Sequence, residues 1–387
     1  MENRVVVSGL GIVSSLGSSI DEFWSNLTEG KSGISQVSSF DTSNLERHYA
    51  GEVKEFDPSK FYSFSDMALM PRTHQLAASA TVLAAGDACL KDFKDVGLAL
   101  GSLVGGLEYV EGLTKDISTY PVNSVSAHVC DVLGIESGVY TLSCACAAGN
   151  YAISLAYDMI KSGKEDIVLA GGADYFSMSI FLSFYRLFSL SAARCQPFDK
   201  NRRGLLPAEG AGMLVLESLS SAKRRGARIY AEVLGYGTSV DAYHAVIPSE
   251  EGVYSCMMNA LDYSGVAASD IDYISAHGTG TVPNDYVECK AIKKLFGEKL
   301  LKNLPVSSIK SMLGHAMGAA SSIEALSCCL AIDKAFIPPT INYETPDPDC
   351  DIDCVPNQAR KKALDVVLNN SFGFGGMNCS VVFSRFS

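Results

Sequence analysis

The 387-residue sequence has no apolar run that approaches the roughly 20 residues of a membrane-spanning helix. We also expect no secretory signal, because residues 1–4 lead directly into Val5 without a long apolar core or a small-residue cleavage site. Basic residues are outnumbered, with 31 Lys and Arg against 43 Asp and Glu, and the net charge is −12. Since an acidic surface repels phosphates and anionic lipid headgroups, we expect a cytoplasmic protein that binds neither nucleic acid nor membrane.

The cysteines lack the doubled Cys-x-x-Cys spacing of a structural zinc site, although there are twelve of them. In the cytoplasm most of these thiols are expected to be reduced. Apolar residues make up 47% of the chain, which excludes a disordered protein. The length fits either about two or three domains or one large duplicated unit.

A dinucleotide-binding loop is also missing. The sequence Gly9-Leu10-Gly11 follows a predicted strand over residues 4–8, but the third glycine of a Gly-x-Gly-x-x-Gly motif would fall at Ser14. We therefore interpret these glycines as a structural turn.

What the sequence does contain is a repeated order of strands and helices. Helix, strand and glycine turn over residues 80–106 match the same order over 255–280, an offset of about 175 residues. Strand-to-helix units at 140–162 and 306–332 follow in the same order. The pattern predicts an α/β protein of two similar halves, 1–226 and 227–387, with mainly parallel or mixed sheets covered by helices on both faces.

Cys146 is the candidate nucleophile. It lies where the predicted strand at 139–142 ends and a helix of small residues begins, so the helix dipole is expected to lower its pKa. The small residues around it leave room for a substrate carbonyl. A buried structural cysteine is the alternative interpretation, and for Cys146 alone it is the better one.

Two histidines favour an active site. His277 and His315 both lie in glycine-containing loops at strand ends, where side chains point into a cleft. One such histidine is more often structural, but two of them together with an activated cysteine suggest catalysis. Lys310 and Glu288 are expected to form a buried pair that holds these loops, with a solvated surface pair as the alternative. The glycine-rich segment 368–378 offers backbone donors, and its phenylalanines could cover the cavity.

The motifs are spread over essentially the whole chain and resemble, in order, the β-ketoacyl-[acyl-carrier-protein] synthases of the thiolase superfamily, in particular the elongating Cys-His-His branch. They are Ala145-Cys-Ala-Ala-Gly149, Pro197-Phe-Asp-Lys-Asn-Arg202, Glu209-Gly-Ala-Gly-Met-Leu-Val-Leu-Glu217, His277-Gly-Thr-Gly-Thr281, Lys310-Ser-Met-Leu-Gly-His315 and Asn370-Ser-Phe-Gly-Phe-Gly-Gly-Met-Asn378.

The resemblance implies a thiolase-like fold, a duplicated five-layer αβαβα arrangement, and a dimer. It implies that Cys146 accepts an acyl group from an acyl-carrier protein, and that malonyl-carrier protein is then decarboxylated to a carbanion that attacks the acyl thioester. No redox cofactor or catalytic metal is expected.

The resemblance also implies roles for individual residues. His277 and His315 would donate hydrogen bonds to the malonyl thioester carbonyl, supported by Lys310 and Glu288. The backbone N–H groups of Cys146 and Phe374 would form the other oxyanion hole, and Phe374 would gate the cysteine. Some relatives hold a monovalent cation, and the matching positions here are Glu324 and Asn370. Arg72 and Arg186 match family regions that dock the carrier protein, and Arg202 and Arg203 are expected to assist them. Ordinary solvated charge is the alternative for each of the four.

Departures from the family pattern concern the substrate. Three features differ from the fatty-acid enzymes: the second glycine of the His277 motif, the sequence of residues 203–209 and a short loop between Gly106 and Val139. They favour a specialised polyketide or polyene pathway over primary fatty-acid synthesis. The partner subunit could be an identical chain or a chain-length-factor-like chain. Three alternatives remain at this point: a non-catalytic chain-length-factor-like subunit, a thiolase that uses coenzyme A and Cys379, and a zinc site formed by Cys146, His277 and His315.

Overall fold

The structure is a computed structural model that describes residues 3–65, 70–107 and 121–387. The predicted short loop after Gly106 falls largely outside the described residues. The strands are β1 Val5–Ser14, β2 Ser35–Gln36, β3 Tyr49–Ala50, β4 Val96–Gly101, β5 Val139–Leu142, β6 Ile167–Asp174, β7 Gly210–Ser218, β8 Ala231–Val240, β9 Tyr273–Ser275, β10 Val306–Ser307, β11 Phe336–Ile337, β12 Arg360–Lys361, β13 Val366–Phe372 and β14 Met377–Ser384.

The helices are α1 Ile20–Thr28, α2 Arg72–Asp87, α3 Ser124–Leu133, α4 Ala148–Lys161, α5 Met178–Arg186, α6 Leu219–Arg225, α7 Glu250–Ser264, α8 Val282–Leu301, α9 Lys310–Leu313 and α10 Ala320–Lys334. Among the described helices, none combines the length and the apolar character needed to cross a bilayer.

Ten of the described strands form one mixed sheet in the order β10-β9-β13-β14-β8-β1-β7-β6-β4-β5. From the centre outwards, β8-β14-β13-β9-β10 repeats the pairing of β1-β7-β6-β4-β5, with two antiparallel pairs followed by two parallel pairs. The two halves join where Val5, Val6 and Val7 pair with residues 231–233. The sheet therefore shows the predicted repeat of topology, while the division of the chain at residue 226 stays a prediction.

Helices lie between and outside the two halves of the sheet. Helices α4 and α10 contact each other and strands of both halves, so they form the central layer. Helices α2 and α3 cover the outer face of the first half, and α7 and α8 cover that of the second. This layering is the αβαβα arrangement that the resemblance implies.

One predicted turn was wrong, because Gly9-Leu10-Gly11 lies inside the continuous strand β1. The glycines serve packing instead of a turn. A Cβ atom on Gly9 would lie 2.5 Å from the Ala84 carbonyl oxygen, and one on Gly11 would lie 2.0 Å from that of Ala80. Only glycine lets α2 approach the strand this closely.

A buried network of amides joins the two halves at the centre. The Nδ2 of Asn369 donates to Oδ1 of Asn150 at 2.9 Å and to the carbonyl oxygen of Ser321 at 3.0 Å. Asn150 in turn donates through Nδ2 to the Cys379 carbonyl at 3.0 Å, and its backbone N–H donates to Ser321 Oγ at 3.0 Å. The first residues of α4 and α10 are thereby fixed against β13 and β14.

Substitution of Asn150 by alanine should destabilise the protein by about 1–3 kcal/mol, because it leaves buried partners without hydrogen bonds. Urea unfolding measures this change in the free energy of unfolding. The exposed Asn259, which donates to the Thr238 carbonyl at 3.0 Å, provides the control as Asn259→Ala. Equal losses for the two variants would show that the central network does not stabilise the junction.

Candidate active site

Cys146 lies on a tight turn between β5 and α4. The turn is a short 3-10 helix, Ala145–Ala147, and Ala145 adopts a left-handed conformation with φ of +48°. The second half of the chain builds the same turn before α10, where Met317 has φ of +51° and Gly318 takes the position of Cys146. A Cβ atom on Gly318 would lie 2.7 Å from Asp174 Oδ2, so only the first half has room for a side chain here.

The structure brings the three predicted catalytic residues together. The sulfur of Cys146 and one nitrogen each of His277 and His315 lie within 4.8 Å of one another. The two imidazole rings meet edge to face, with centroids 5.4 Å apart. All three side chains are buried, and Cys146 is 7% exposed.

The tautomer of each histidine follows from its neighbours. The ammonium group of Lys310 lies 3.4 Å from Nδ1 of His277 and donates to the His277 carbonyl at 2.7 Å. The backbone N–H of Met317 donates to Nδ1 of His315 at 3.1 Å. Because neither group can accept a hydrogen bond, both Nδ1 atoms are acceptors and Nε2 carries the proton in each ring.

Both histidines are electrically neutral. Burial lowers the pKa of His277 and of His315 well below its usual value, and the nearby Lys310 charge lowers both further. A neutral imidazole with its proton on Nε2 is a hydrogen-bond donor at that atom. The site thus has two donors that do not depend on a histidinium charge.

The predicted pairing of Lys310 with Glu288 was wrong. Lys310 forms its ion pair with Glu324, and both side chains are 2% exposed. Glu288 instead accepts hydrogen bonds from the backbone N–H groups of His277 at 2.9 Å and Gly278 at 2.8 Å. These bonds fix the loop that carries His277. Burial raises the pKa of each of the two carboxyl groups to about 7.

The cation expected at Glu324 and Asn370 stays a prediction. The ammonium group of Lys310 already neutralises Glu324. The Oδ1 atom of Asn370 accepts from Ser380 Oγ at 2.8 Å, and its Nδ2 lies 3.3 Å from the sulfur of Met257. Only Oε1 of Glu324 is bonded to Lys310, and the other carboxylate oxygen, Oε2, is buried without a hydrogen-bond partner.

The predicted lowering of the Cys146 pKa was also wrong. Burial raises the pKa of the thiol to about 11, and the opposing effects of the Lys310 charge and the Phe374 backbone N–H are smaller. Removal of the thiolate from water therefore outweighs the position at a helix start.

A pocket lined mostly by apolar residues opens above the cysteine. Phe374 lies at its mouth, 36% exposed, with its ring centroid 5.8 Å from that of Phe184. The loop over residues 241–248 also lines the pocket, which the sequence did not reveal. It is tied to the Phe374 turn, because the Gly375 N–H donates to the Ala245 carbonyl at 2.8 Å and the Asp241 N–H to the Gly376 carbonyl at 2.9 Å.

Besides the loop over residues 241–248, the sequence did not point to Asp174, which is fully buried at the end of β6. Its carboxylate accepts from Ser102 Oγ at 2.7 Å, Val104 N–H at 2.8 Å and Gly318 N–H at 2.7 Å. Burial raises its pKa to about 6. The signal available in the sequence was a single acidic residue directly after the small residues of a buried strand.

The four predicted docking arginines divide into two pairs. Arg72 and Arg202 form ion pairs with buried carboxylates, Glu209 in the first case and Asp285 together with the partly buried Asp347 in the second. Arg186 and Arg203 have exposed side chains.

The family model for the N-terminal domain of beta-ketoacyl synthase matches residues 2–222, and the model for its C-terminal domain matches residues 230–344. The chain is 37% identical to 3-oxoacyl-[acyl-carrier-protein] synthase 2 of Synechocystis sp., over 100% of this chain and 99% of the relative. It is 38% identical to nodulation protein E of Rhizobium leguminosarum bv. trifolii, over the full length of both.

Solved structures agree with these relatives. The ishigamide ketosynthase/chain length factor superimposes with a TM-score of 0.95 at 39% identity, over 100% of both chains. A second match is to a chain in the structure of a type II polyketide synthase acyl-carrier protein in complex with its ketosynthase bound to the hexaketide. The TM-score is 0.89 at 33% identity, again over 100% of both chains.

Alkylation of Cys146 by iodoacetamide should accelerate with pH, by roughly tenfold per unit between about pH 7 and 9, because the thiolate is the reactive form and the pKa lies above this range. Peptide mass spectrometry quantifies the adduct on Cys146, and Cys146→Ala identifies the background. A rate that levels off below about pH 8 would show that the helix start does produce a low pKa.

Proposed function

Because the chain belongs to the β-ketoacyl synthase family, we propose that it catalyses the decarboxylative condensation of an acyl group with malonyl-acyl-carrier protein. The product is a β-ketoacyl thioester that is longer by two carbons. The observation that carries this proposal is the meeting of Cys146, His277 and His315 within 4.8 Å at the base of an apolar pocket.

In the first step the acyl group moves from the thiol of an acyl-carrier protein to the thiol of Cys146. The sulfur attacks the acyl thioester carbon, the carrier thiol leaves, and the proton of Cys146 leaves with it in the net reaction. The Phe374 N–H lies near enough to the sulfur to lower the pKa of the thiol, although burial outweighs this effect. With the N–H of Cys146 it would receive the negative charge on the carbonyl oxygen during the exchange.

In the second step malonyl-carrier protein loses carbon dioxide. When the bond between the carboxylate and the α-carbon breaks, its electron pair stays on the α-carbon and an enolate forms. The enolate oxygen would accept hydrogen bonds from Nε2 of His277 and of His315. Donors fixed in a buried site stabilise such charge strongly, and loss of one typically costs about 10²- to 10³-fold in rate. Attack of the enolate carbon on the acyl thioester then forms the new bond and releases the Cys146 thiolate, which takes up a proton.

Four buried residues would hold these groups in place. Lys310, neutralised by Glu324, fixes the Nε2–H tautomer of His277, and Glu288 fixes its backbone. Asp174 holds the N–H of Gly318, next to Met317, whose own N–H fixes the tautomer of His315. These contacts support a positioning role for residues that do not themselves face the sulfur.

The partner in both steps would be an acidic acyl-carrier protein. Since the chain is itself acidic, docking needs local positive charge, and the exposed Arg186 and Arg203 remain the candidates. We propose a dimer with an identical chain or with a chain-length-factor-like subunit, and either fatty acyl or polyketide substrates. The cytoplasm is the proposed compartment.

The alternatives fit the geometry less well. A non-catalytic chain-length-factor-like subunit would not need a complete Cys-His-His group. The second cysteine of a thiolase is not in the site, because Cys379 is buried in β14 with its sulfur 3.4 Å from Ser154 Oγ. A zinc ion on Cys146 and the histidines would lie close to the Lys310 ammonium group, which repels it.

The variants Cys146→Ala and His315→Ala should separate the two steps. The first should form no acyl adduct and no condensation product, since the nucleophile is gone. The second should form the adduct but decarboxylate malonyl-carrier protein about 10²- to 10³-fold more slowly. Intact-protein mass spectrometry reports the adduct, and release of carbon dioxide reports decarboxylation.

The exposed Cys89 provides a control as Cys89→Ala, which should behave like the wild type. Absence of an acyl adduct on wild-type Cys146 would contradict the proposed function. Equal loss of both steps in His315→Ala would contradict the role of that histidine. Stoichiometric zinc in the purified protein would support the metal-site alternative.

A further inference from the structure

Arg72 forms a two-point ion pair with Glu209, although the sequence suggested that it docks a partner protein. Its Nε donates to Glu209 Oε2 at 2.8 Å and its Nη2 to Oε1 at 2.7 Å. Nη2 also donates to the Val53 carbonyl at 2.7 Å, and the guanidinium lies 5.3 Å from the ring centroid of Phe56. The carboxylate is buried, with 3% of its side chain exposed. The guanidinium of Arg72 is therefore held by three hydrogen bonds, while 33% of its side chain stays exposed.

Glu209 fixes a short ladder of backbone segments. Its Oε1 accepts the Val53 N–H at 2.8 Å, and its own N–H donates to the Gly51 carbonyl at 3.0 Å. The Gly51 N–H donates to the Pro207 carbonyl at 2.9 Å, so residues 51–53 lie parallel to residues 207–209. A Cβ atom on Gly51 would lie 2.1 Å from the Leu313 carbonyl oxygen, so the packing of these segments requires glycine.

The other edge of this ladder holds His315. The His315 N–H donates to the Leu206 carbonyl at 2.7 Å, and the His315 carbonyl accepts the Ala208 N–H at 2.8 Å. Both backbone groups of His315 are therefore hydrogen-bonded to residues 206–208, the segment that leads directly into Glu209. Glu209 also lines the same small internal cavity as Lys310 and Glu324.

We propose that Arg72 and Glu209 are positioning residues that set the place of His315 in the decarboxylation step, and that Arg72 does not act by docking the carrier protein. This inference rests on the proposed function. The ion pair ties residues 51–53 to residues 206–209, and the latter segment fixes the backbone from which the imidazole of His315 projects. Without the pair the ring shifts relative to the thioester oxygen, while the turn that carries Cys146 keeps its contacts.

The chain contains a matched pair for comparison. Glu217 lies at the other end of β7, is fully buried, and forms a two-point ion pair with Arg225, whose Nε and Nη2 donate at 2.8 and 2.6 Å. Arg225 also donates to the Ala88 carbonyl, as Arg72 does to that of Val53. Glu209 directly precedes β7 and Glu217 lies near its end, and the two pairs share chemistry and a buried carboxylate. Only the first pair is bonded to the segment that holds His315.

The experiment compares Glu209→Gln, Arg72→Lys and Glu217→Gln with the wild type in three assays. These are acylation of Cys146, decarboxylation of malonyl-carrier protein and decarboxylation of malonyl-pantetheine, which lacks the carrier protein. We expect Glu209→Gln to lower kcat for decarboxylation of both malonyl substrates by roughly 10- to 100-fold, the range that a misplacement of about 1 Å produces. Acylation should continue, and KM for the carrier protein should stay unchanged.

Arg72→Lys keeps the charge but loses the two-point geometry, so its kcat should fall for both malonyl substrates and by less than that of Glu209→Gln. In a separate measurement of thermal unfolding, Glu217→Gln should lose as much stability as Glu209→Gln. Its decarboxylation rate should stay at the wild-type value. A raised KM for the carrier protein in Arg72→Lys, with normal turnover of malonyl-pantetheine, would show that Arg72 docks and would overturn the inference. Equal rates for Glu209→Gln and Glu217→Gln would overturn it as well. If the wild type itself decarboxylates neither substrate, the proposed function fails instead.

Discussion

The site depends on one buried charge, the ammonium group of Lys310. A charge sealed from water is tolerated only when it is paired, and removal of one partner of such a pair typically costs about 3–5 kcal/mol. Glu324 supplies the pairing, and the other contacts of the ammonium group go to the carbonyl and Nδ1 of His277. Those contacts leave His277 neutral, with its proton on the atom that can face a substrate.

Burial and this charge together set the protonation states of the site, and burial has the larger effect on all three residues. The charge lowers the pKa of both histidines in the direction that burial already favours, so the two effects add. For Cys146 the charge and burial act in opposite directions, and burial prevails. The site therefore holds a thiol beside two neutral imidazoles, and the proposed mechanism relies on hydrogen-bond donors in fixed places instead of on a resting thiolate.

Duplication of the half-unit accounts for how these groups meet. The turns before α4 and α10 share a left-handed residue, Ala145 in one half and Met317 in the other. In the first half the next residue is Cys146, the proposed nucleophile, whereas in the second it is Gly318, whose N–H donates to Asp174. The second turn then contributes the N–H of Met317 to His315. The same turn thus carries the proposed nucleophile in one half and orients a histidine in the other.

Much of this could be predicted from the sequence, because the relevant signals are local. A cysteine among small residues at a helix start, and histidines in glycine loops after buried strands, mark their positions without knowledge of distant contacts. The pairing of Lys310 could not be predicted, since Glu288 and Glu324 are both acidic residues on helices and only packing decides between them. Strands β7 and β14 were not recognised as strands either, because both are buried on both faces and show no alternation of polar and apolar residues. The pKa of Cys146 was misjudged because the sequence shows the helix start but not the degree of burial.

The protonation state of the two histidines is the most direct test of this account. Two-bond ¹H–¹⁵N correlation spectra of protein labelled with ¹⁵N-histidine distinguish the Nε2–H tautomer, the Nδ1–H tautomer and the imidazolium ion. The account predicts that His277 and His315 both show the neutral Nε2–H pattern, unchanged between about pH 5 and 8, where ordinary histidines titrate. An imidazolium pattern, or a proton on Nδ1 of either ring, would contradict it.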